Sequence, residues 1–228
     1  MRLRPPEASA ATNPGIRHLE SLDGIRGIAC LMVFYCHLEY SPYMPYTNLP
    51  LNFGFLGVLL FFVLSGFLMG FLYLDTVAPR KIAHYLLKRF FRIYPLFFVA
   101  SIAGIYFAQT VGFHSLLRFN LNKVDFDFDY LIAQLLLKKG WAGLWTIPVE
   151  MHFYAVFAVL LFITARFATL RLFIFLISAI FLLAVSDLPG NAQQFRMYIE
   201  QKSYFYMWNF MGIFLCGVFF GVLFRRWK

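Results

Sequence analysis

Arg26 and His37 lie in the first apolar stretch of the sequence, Ile25 to Leu38, eleven residues apart. At about 100° per residue this spacing is three helical turns plus about 20°, so both side chains stack on one helix face. Asp23, Arg26, Cys30, Val33 and His37 follow one another at steps of three or four. They predict one stripe that carries an acid, a guanidinium and an imidazole. An ionisable group in hydrocarbon costs about 3 kcal/mol at a helix centre, so such a stripe is expected to line a polar interior or a reaction site.

Glu150, in a later apolar window, is the natural partner to test. At 1.5 Å per residue from an entry near Asp23, His37 lies about 21 Å into a core about 30 Å thick, hence about 9 Å below the far surface. Glu150, nine residues past Trp141 on a helix running the other way, lies about 13 Å below that surface. A carboxylate beside an imidazole fixes its tautomer and favours the imidazolium formed when a hydroxyl proton is taken, which is general-base chemistry on an alcohol. The alternative is a hydrogen-bonded pair that only joins two helices. His152 follows Glu150 by two and points to another face.

A second constellation is the segment Pro79 to Pro95, with Lys81, His84, Lys88 and Arg92 on one face and Arg89 three residues before Arg92. It reads as an amphipathic surface helix begun at Pro79 and bent into the membrane at Pro95. Arg89 and Arg92 can grip a phosphorylated ligand bidentately; anionic lipid headgroups and topology setting are the competing uses.

The elements that must position these groups are membrane helices. With 61% hydrophobic residues, 21% aromatic and 14% charged, the composition excludes a soluble globular domain and fits an all-α polytopic bundle. A net charge of +9 brings no basic stripe with interleaved aromatics, so nucleic acid is not an expected partner. Cys30, Cys36 and Cys216 show neither metal-ligand nor disulfide spacing, and no metal site is expected. Six windows of membrane-spanning length appear, roughly over 23–40, 53–74, 91–111, 142–163, 168–187 and 204–224. Lys and Arg concentrate in the tail, around Arg80 to Arg92, at Arg166 and Arg171, and at Arg225 to Lys228. The positive-inside bias then places both termini in the cytosol. Residues 1–19 read as a disordered cytosolic tail without a signal peptide. Between Gly112 and Gly140, Asp125 to Tyr130 alternates acid and aromatic, which suits either a sugar or an interfacial loop.

Four segments in order carry a resemblance: Leu22-Asp23-Gly24-Ile25-Arg26-Gly27 with His37; Gly54 to Val58 with Phe61-Phe62-Val63-Leu64-Ser65-Gly66; Arg89-Phe90-Phe91-Arg92; and Leu144-Trp145-Thr146-Ile147-Pro148-Val149-Glu150. Together the four make the chain resemble the acyltransferase 3 family of integral membrane O-acyltransferases over 20–225. The resemblance implies acyl transfer, often acetyl, from acyl-CoA as donor substrate, with no bound cofactor, to a hydroxyl of a saccharide or lipid-linked glycan. It makes His37 the base, Arg26 its companion and Glu150 a supporting catalytic residue. Asp23, Trp145 and Thr146 would support the site, and Arg89, Arg92, Phe61, Phe62, Ser65 and Gly66 would serve the acyl donor. It also implies the lipid bilayer as partner and a multi-pass protein of a bacterial cytoplasmic membrane. The family usually has about ten membrane helices, so six windows predict a version shortened at the C-terminus. A proton-coupled transporter and a catalytically incomplete membrane protein are the competing functions.

Overall fold

A computed structural model describes residues 20–39, 52–74, 78–110, 128–140, 142–165, 167, 170–184 and 208–227. Among these are seven α-helices and no strand: α1 (Glu20–Glu39), α2 (Asn52–Tyr73), α3 (Pro79–Thr110), α4 (Phe128–Leu135), α5 (Thr146–Thr164), α6 (Arg171–Ala184) and α7 (Met211–Trp227). The expected tail and Asp125 to Asp127 lie outside the described residues. Helices α1, α2, α3, α5 and α7 are long and apolar enough to cross a membrane. The fifth predicted window is α6, whose 14 residues fall short of the about 17 that crossing requires.

Helix α2 organises the bundle because its glycines admit neighbours on two sides. Gly54 faces Cys36, and Gly57 faces Ala29, Met32 and Val33, so α1 runs antiparallel to α2. Gly66 and Gly70 meet the backbone of Phe214 and Val218, while Gly217 and Gly221 meet the carbonyls of Val63 and Phe67. Two small-xxx-small faces thus interlock, the packing that lets membrane helices approach without a hydrophobic driving force. The register rises together on both helices, so α2 and α7 are parallel. Arg225 completes it by donating to the Phe71 carbonyl at 3.2 Å.

The core between α2, α5, α6 and α7 is aromatic. Phe62 stacks on Phe214 with centroids 4.5 Å apart, Phe153 stacks on Phe214 at 4.1 Å, and Phe157 stacks on Phe175 at 6.0 Å. Such offset pairs add about 0.5–1.5 kcal/mol each beyond the area they bury.

Two elements differ from the sequence expectation. Helix α3 is continuous over 32 residues with Pro95 inside it, about 48 Å at 1.5 Å per residue. The helix therefore carries its basic N-terminal turns well beyond a 30 Å core, and it is not interrupted at Pro95, so the expected surface and membrane pieces are one element. Proline inside a membrane helix is tolerated where local adjustments and neighbours satisfy the freed carbonyl. Helix α4 arises within the long connection: Tyr94 donates to the Leu135 carbonyl at 3.0 Å and Gln134 donates to Ser101 Oγ at 2.8 Å, which pin it to α3.

Candidate active site

Three elements build a buried polar cluster around Glu150. Pro148 is accommodated in the first turn of α5, where its missing N–H is no loss. One turn later, Ser65 Oγ of α2 donates to Glu150 Oε1 at 3.2 Å. Tyr154, four residues on and so on the same helix face, donates to the same oxygen. From α3, the Arg89 guanidinium lies 5.4 Å from the ring centroids of both Tyr73 and Tyr154. Arg89 is only 9% exposed, so two tyrosine faces replace much of its water. Tyr85 packs at 4.8 Å from Tyr73 and 6.2 Å from Tyr154, and its hydroxyl is buried without a hydrogen-bond partner. The cluster holds one carboxylate and one guanidinium in an apolar core, joined through aromatic rings and hydroxyls.

His37 is exposed on α1. Its Nδ1 lies 2.7 Å from the Val33 carbonyl. A carbonyl only accepts, so Nδ1 carries a proton, and in the neutral ring Nε2 is the nitrogen with the lone pair that a general base needs. Arg26 Nη1 pairs with Asp23 Oδ1 at 3.3 Å one turn away. The predicted stripe therefore exists, with acid and guanidinium engaged with each other.

His37 and Glu150 are not brought together; among the described residues no hydrogen bond joins them. Cys36 is level with Gly54, whereas Glu150 is level with Ser65. Those eleven residues of α2 separate the two levels by about 16 Å. The compatible depths expected from helix counting fail because α5 does not begin at the membrane surface. A 3-10 turn, Ala142–Trp145, precedes it, and Trp145 is already buried at the level of Phe62 and Phe210, with centroids 6.1 and 5.4 Å away. Gly140 permits this entry because a side chain there would strike the Trp145 backbone.

The other predicted site residues divide. Ser65, Arg89 and Glu150 converge. Arg92 is exposed while Arg89 turns inward, so the two arginines do not form one grip. Phe62 is enclosed by Trp145, Phe210 and Phe214, and Gly66 lies against Phe214, so both serve helix packing here. Phe61 is half-buried outside that ring stack, and Thr146 opens α5. Tyr73 and Tyr85 were not expected. Tyr85 is four residues before Arg89, as Tyr154 is four after Glu150, and that spacing is the signal that marks both tyrosines.

A membrane helix bundle with a half-buried carboxylate, an inward arginine and an exposed imidazole on α1 defines an integral membrane protein with a polar cluster inside it. The chain belongs to the acyltransferase 3 family, described as an acyltransferase domain, whose model matches residues 19–228. It is 28% identical over 166 residues to the "Putative O-acetyltransferase SACOL0978" of Staphylococcus aureus (strain COL), covering 64% of this chain and 25% of the relative. It is likewise 28% identical over 166 residues to "Acyltransferase MdmB" of Streptomyces mycarofaciens, covering 63% of this chain and 39% of the relative. "Protein 2 in picA locus" of Rhizobium radiobacter is 37% identical over 92 residues, covering 38% and 44%. The chain thus spans between a quarter and somewhat under half of the length of these relatives. No solved structure matches it.

Proposed function

We propose that the chain supplies the donor-side core of a membrane O-acyltransferase. The acyl group, acetyl in the simplest case, comes from acyl-CoA and goes to a hydroxyl of a saccharide, a lipid-linked glycan or another exported acceptor. The setting is the bacterial cytoplasmic membrane, with the basic end of the bundle and both termini toward the cytosol, as the positive-inside bias favours. The observation that carries the reading is the Ser65–Glu150–Tyr154 cluster with Arg89 stacked beside it. Three of the four family-like segments meet there.

In this reading His37 Nε2 accepts the proton of the acceptor hydroxyl as its oxygen attacks the thioester carbonyl carbon. The carbon–sulfur bond breaks, the acyl–oxygen bond forms, and the imidazolium returns its proton to the departing thiolate. Glu150 and Arg89 keep the passage between the donor end and His37 polar and charge-balanced, with Arg26 and Asp23 alongside on α1. Membranes containing the protein, supplied with labelled acetyl-CoA, should transfer label to a glycan fraction, and His37→Ala should abolish it. An undiminished rate in His37→Ala would remove the base. Uptake of a solute into vesicles without acylation would identify a carrier instead.

A further inference from the structure

The N-terminal turns of α3 and the end of α2 enclose an open groove of about 340 Å³, lined by Tyr73, Arg80, Lys81, His84, Tyr85 and Lys88. Its volume falls at the small end of ligand sites, roughly 300–1,000 Å³, and exceeds what one water-sized ion fills. Arg80, His84 and Lys88 recur at steps of four, with Lys81 beside them, so one helix face presents three permanent positive charges and an imidazole. Among the described residues no carboxylate lines the groove. Among the described residues none of these four groups has an ion pair or a side-chain hydrogen bond. Behind the groove, the Arg89 guanidinium lies against Tyr73, one of its walls. So many like charges around one concavity repel one another unless an anion is bound there.

The geometry points to a phosphate-binding groove at this end of the bundle, formed by Arg80, Lys81, His84 and Lys88, and therefore distinct from the Arg89 and Arg92 pair. Its ligand is a phosphate ester or diphosphate, whose oxygens take charge-assisted hydrogen bonds from the two lysines and Arg80 while the Tyr73 and Tyr85 rings wall the attached group. Two sources share that chemistry: the nucleotide phosphates of a CoA thioester, which rests on the acyltransferase reading above, and the headgroup of an anionic lipid at the membrane surface.

The test uses the full chain in nanodiscs. In phosphatidylcholine discs, CoA binding is measured for the wild type, for Lys81→Ala/Lys88→Ala and for Arg80→Ala, at two salt concentrations. In parallel, retention of phosphatidylglycerol by the same proteins is measured after extraction from mixed-lipid membranes. The altered side chains are exposed, so unchanged thermal unfolding is expected to exclude misfolding. A loss of CoA affinity of about tenfold or more in the double variant, larger at low salt, supports the groove with a nucleotide ligand. Unchanged or absent CoA binding with a comparable loss of phosphatidylglycerol supports it with a lipid ligand. If neither ligand responds to the substitutions, the groove proposal is overturned. Acetyl transfer is read separately: a variant with unaltered CoA and lipid binding that still transfers acetyl removes the groove and leaves the enzyme reading intact, whereas a wild type that binds only lipid and transfers nothing removes the acyl-CoA reading.

Discussion

The Glu150 cluster makes a quantitative prediction through the pair Glu150 and Tyr154. Tyr154 donates to a carboxylate in an apolar core, and a hydrogen bond to a charged group contributes about 1.5–3 kcal/mol, against about 0.5–1.5 for a neutral acceptor. Tyr154→Phe should therefore destabilise the wild type by about 2 kcal/mol, but only about 1 kcal/mol in a Glu150→Gln background, where an amide oxygen replaces the carboxylate. The expected coupling is about 1 kcal/mol. The single substitution should lower the midpoint of thermal unfolding by on the order of 5 °C in a chain of this size. The assay is equilibrium unfolding in mixed micelles followed by tryptophan fluorescence, for which Trp145 is a reporter inside the same core. Additivity of the two substitutions within about 0.5 kcal/mol would refute the reasoning, because groups without shared contacts behave that way. Ser65→Ala should cost less than Tyr154→Phe, since its 3.2 Å contact is at the long end for an O–H donor.

Gly66→Leu and Gly217→Leu should each sharply lower the yield of folded protein in micelles, because each side chain would enter the backbone of the facing helix; overpacking of this kind costs about 1–3 kcal/mol or more. Arg89→Lys should lower the unfolding midpoint while Arg92→Lys leaves it unchanged, since only Arg89 stacks on two tyrosines and an ammonium does not reproduce a planar stack. Pro95→Ala should keep or raise the midpoint, because α3 is continuous through this position and alanine restores the missing donor; a marked loss would mean that the helix depends on a proline bend.

The sequence was most legible where helical phase decides the outcome. Asp23, Arg26 and His37 form the expected stripe, because side-chain direction on a helix follows from spacing alone. Apolar windows located α1, α2, α5 and α7 for the same reason. Depth was not legible. Counting residues assumes that each helix starts at the membrane surface, and the 3-10 turn ahead of α5, whose Trp145 is buried against Phe62, breaks that assumption before the helix begins. Pro95 was misleading because the rule for proline is strongest in water-exposed helices. Helix α4 escaped notice because its eight residues are held by contacts from α3 that no local pattern announces. Arg89 and Arg92 share a motif yet face opposite environments, and only packing against Tyr73 and Tyr154 distinguishes them.

The registers along α2 order the functional groups. His37 lies near the level of Gly54, Glu150 is level with Ser65, and the basic groove begins at Tyr73. The nineteen residues from Gly54 to Tyr73 correspond to about 28 Å, close to the about 30 Å thickness of a hydrocarbon core. In the proposed reaction, a phosphate-bearing donor at the groove and a base at His37 sit about that far apart along α2, with the Ser65–Glu150–Tyr154 level between them. That level is where a carboxylate is costly without a compensating role. Its two hydroxyl donors and the nearby guanidinium make the charge sustainable, and the small-residue contacts of α2 with α7 fix the helix from which Ser65 reaches it. Within five consecutive positions of α2, Phe62 and Gly66 thus pack against α7 while Ser65 supplies the hydroxyl that reaches Glu150.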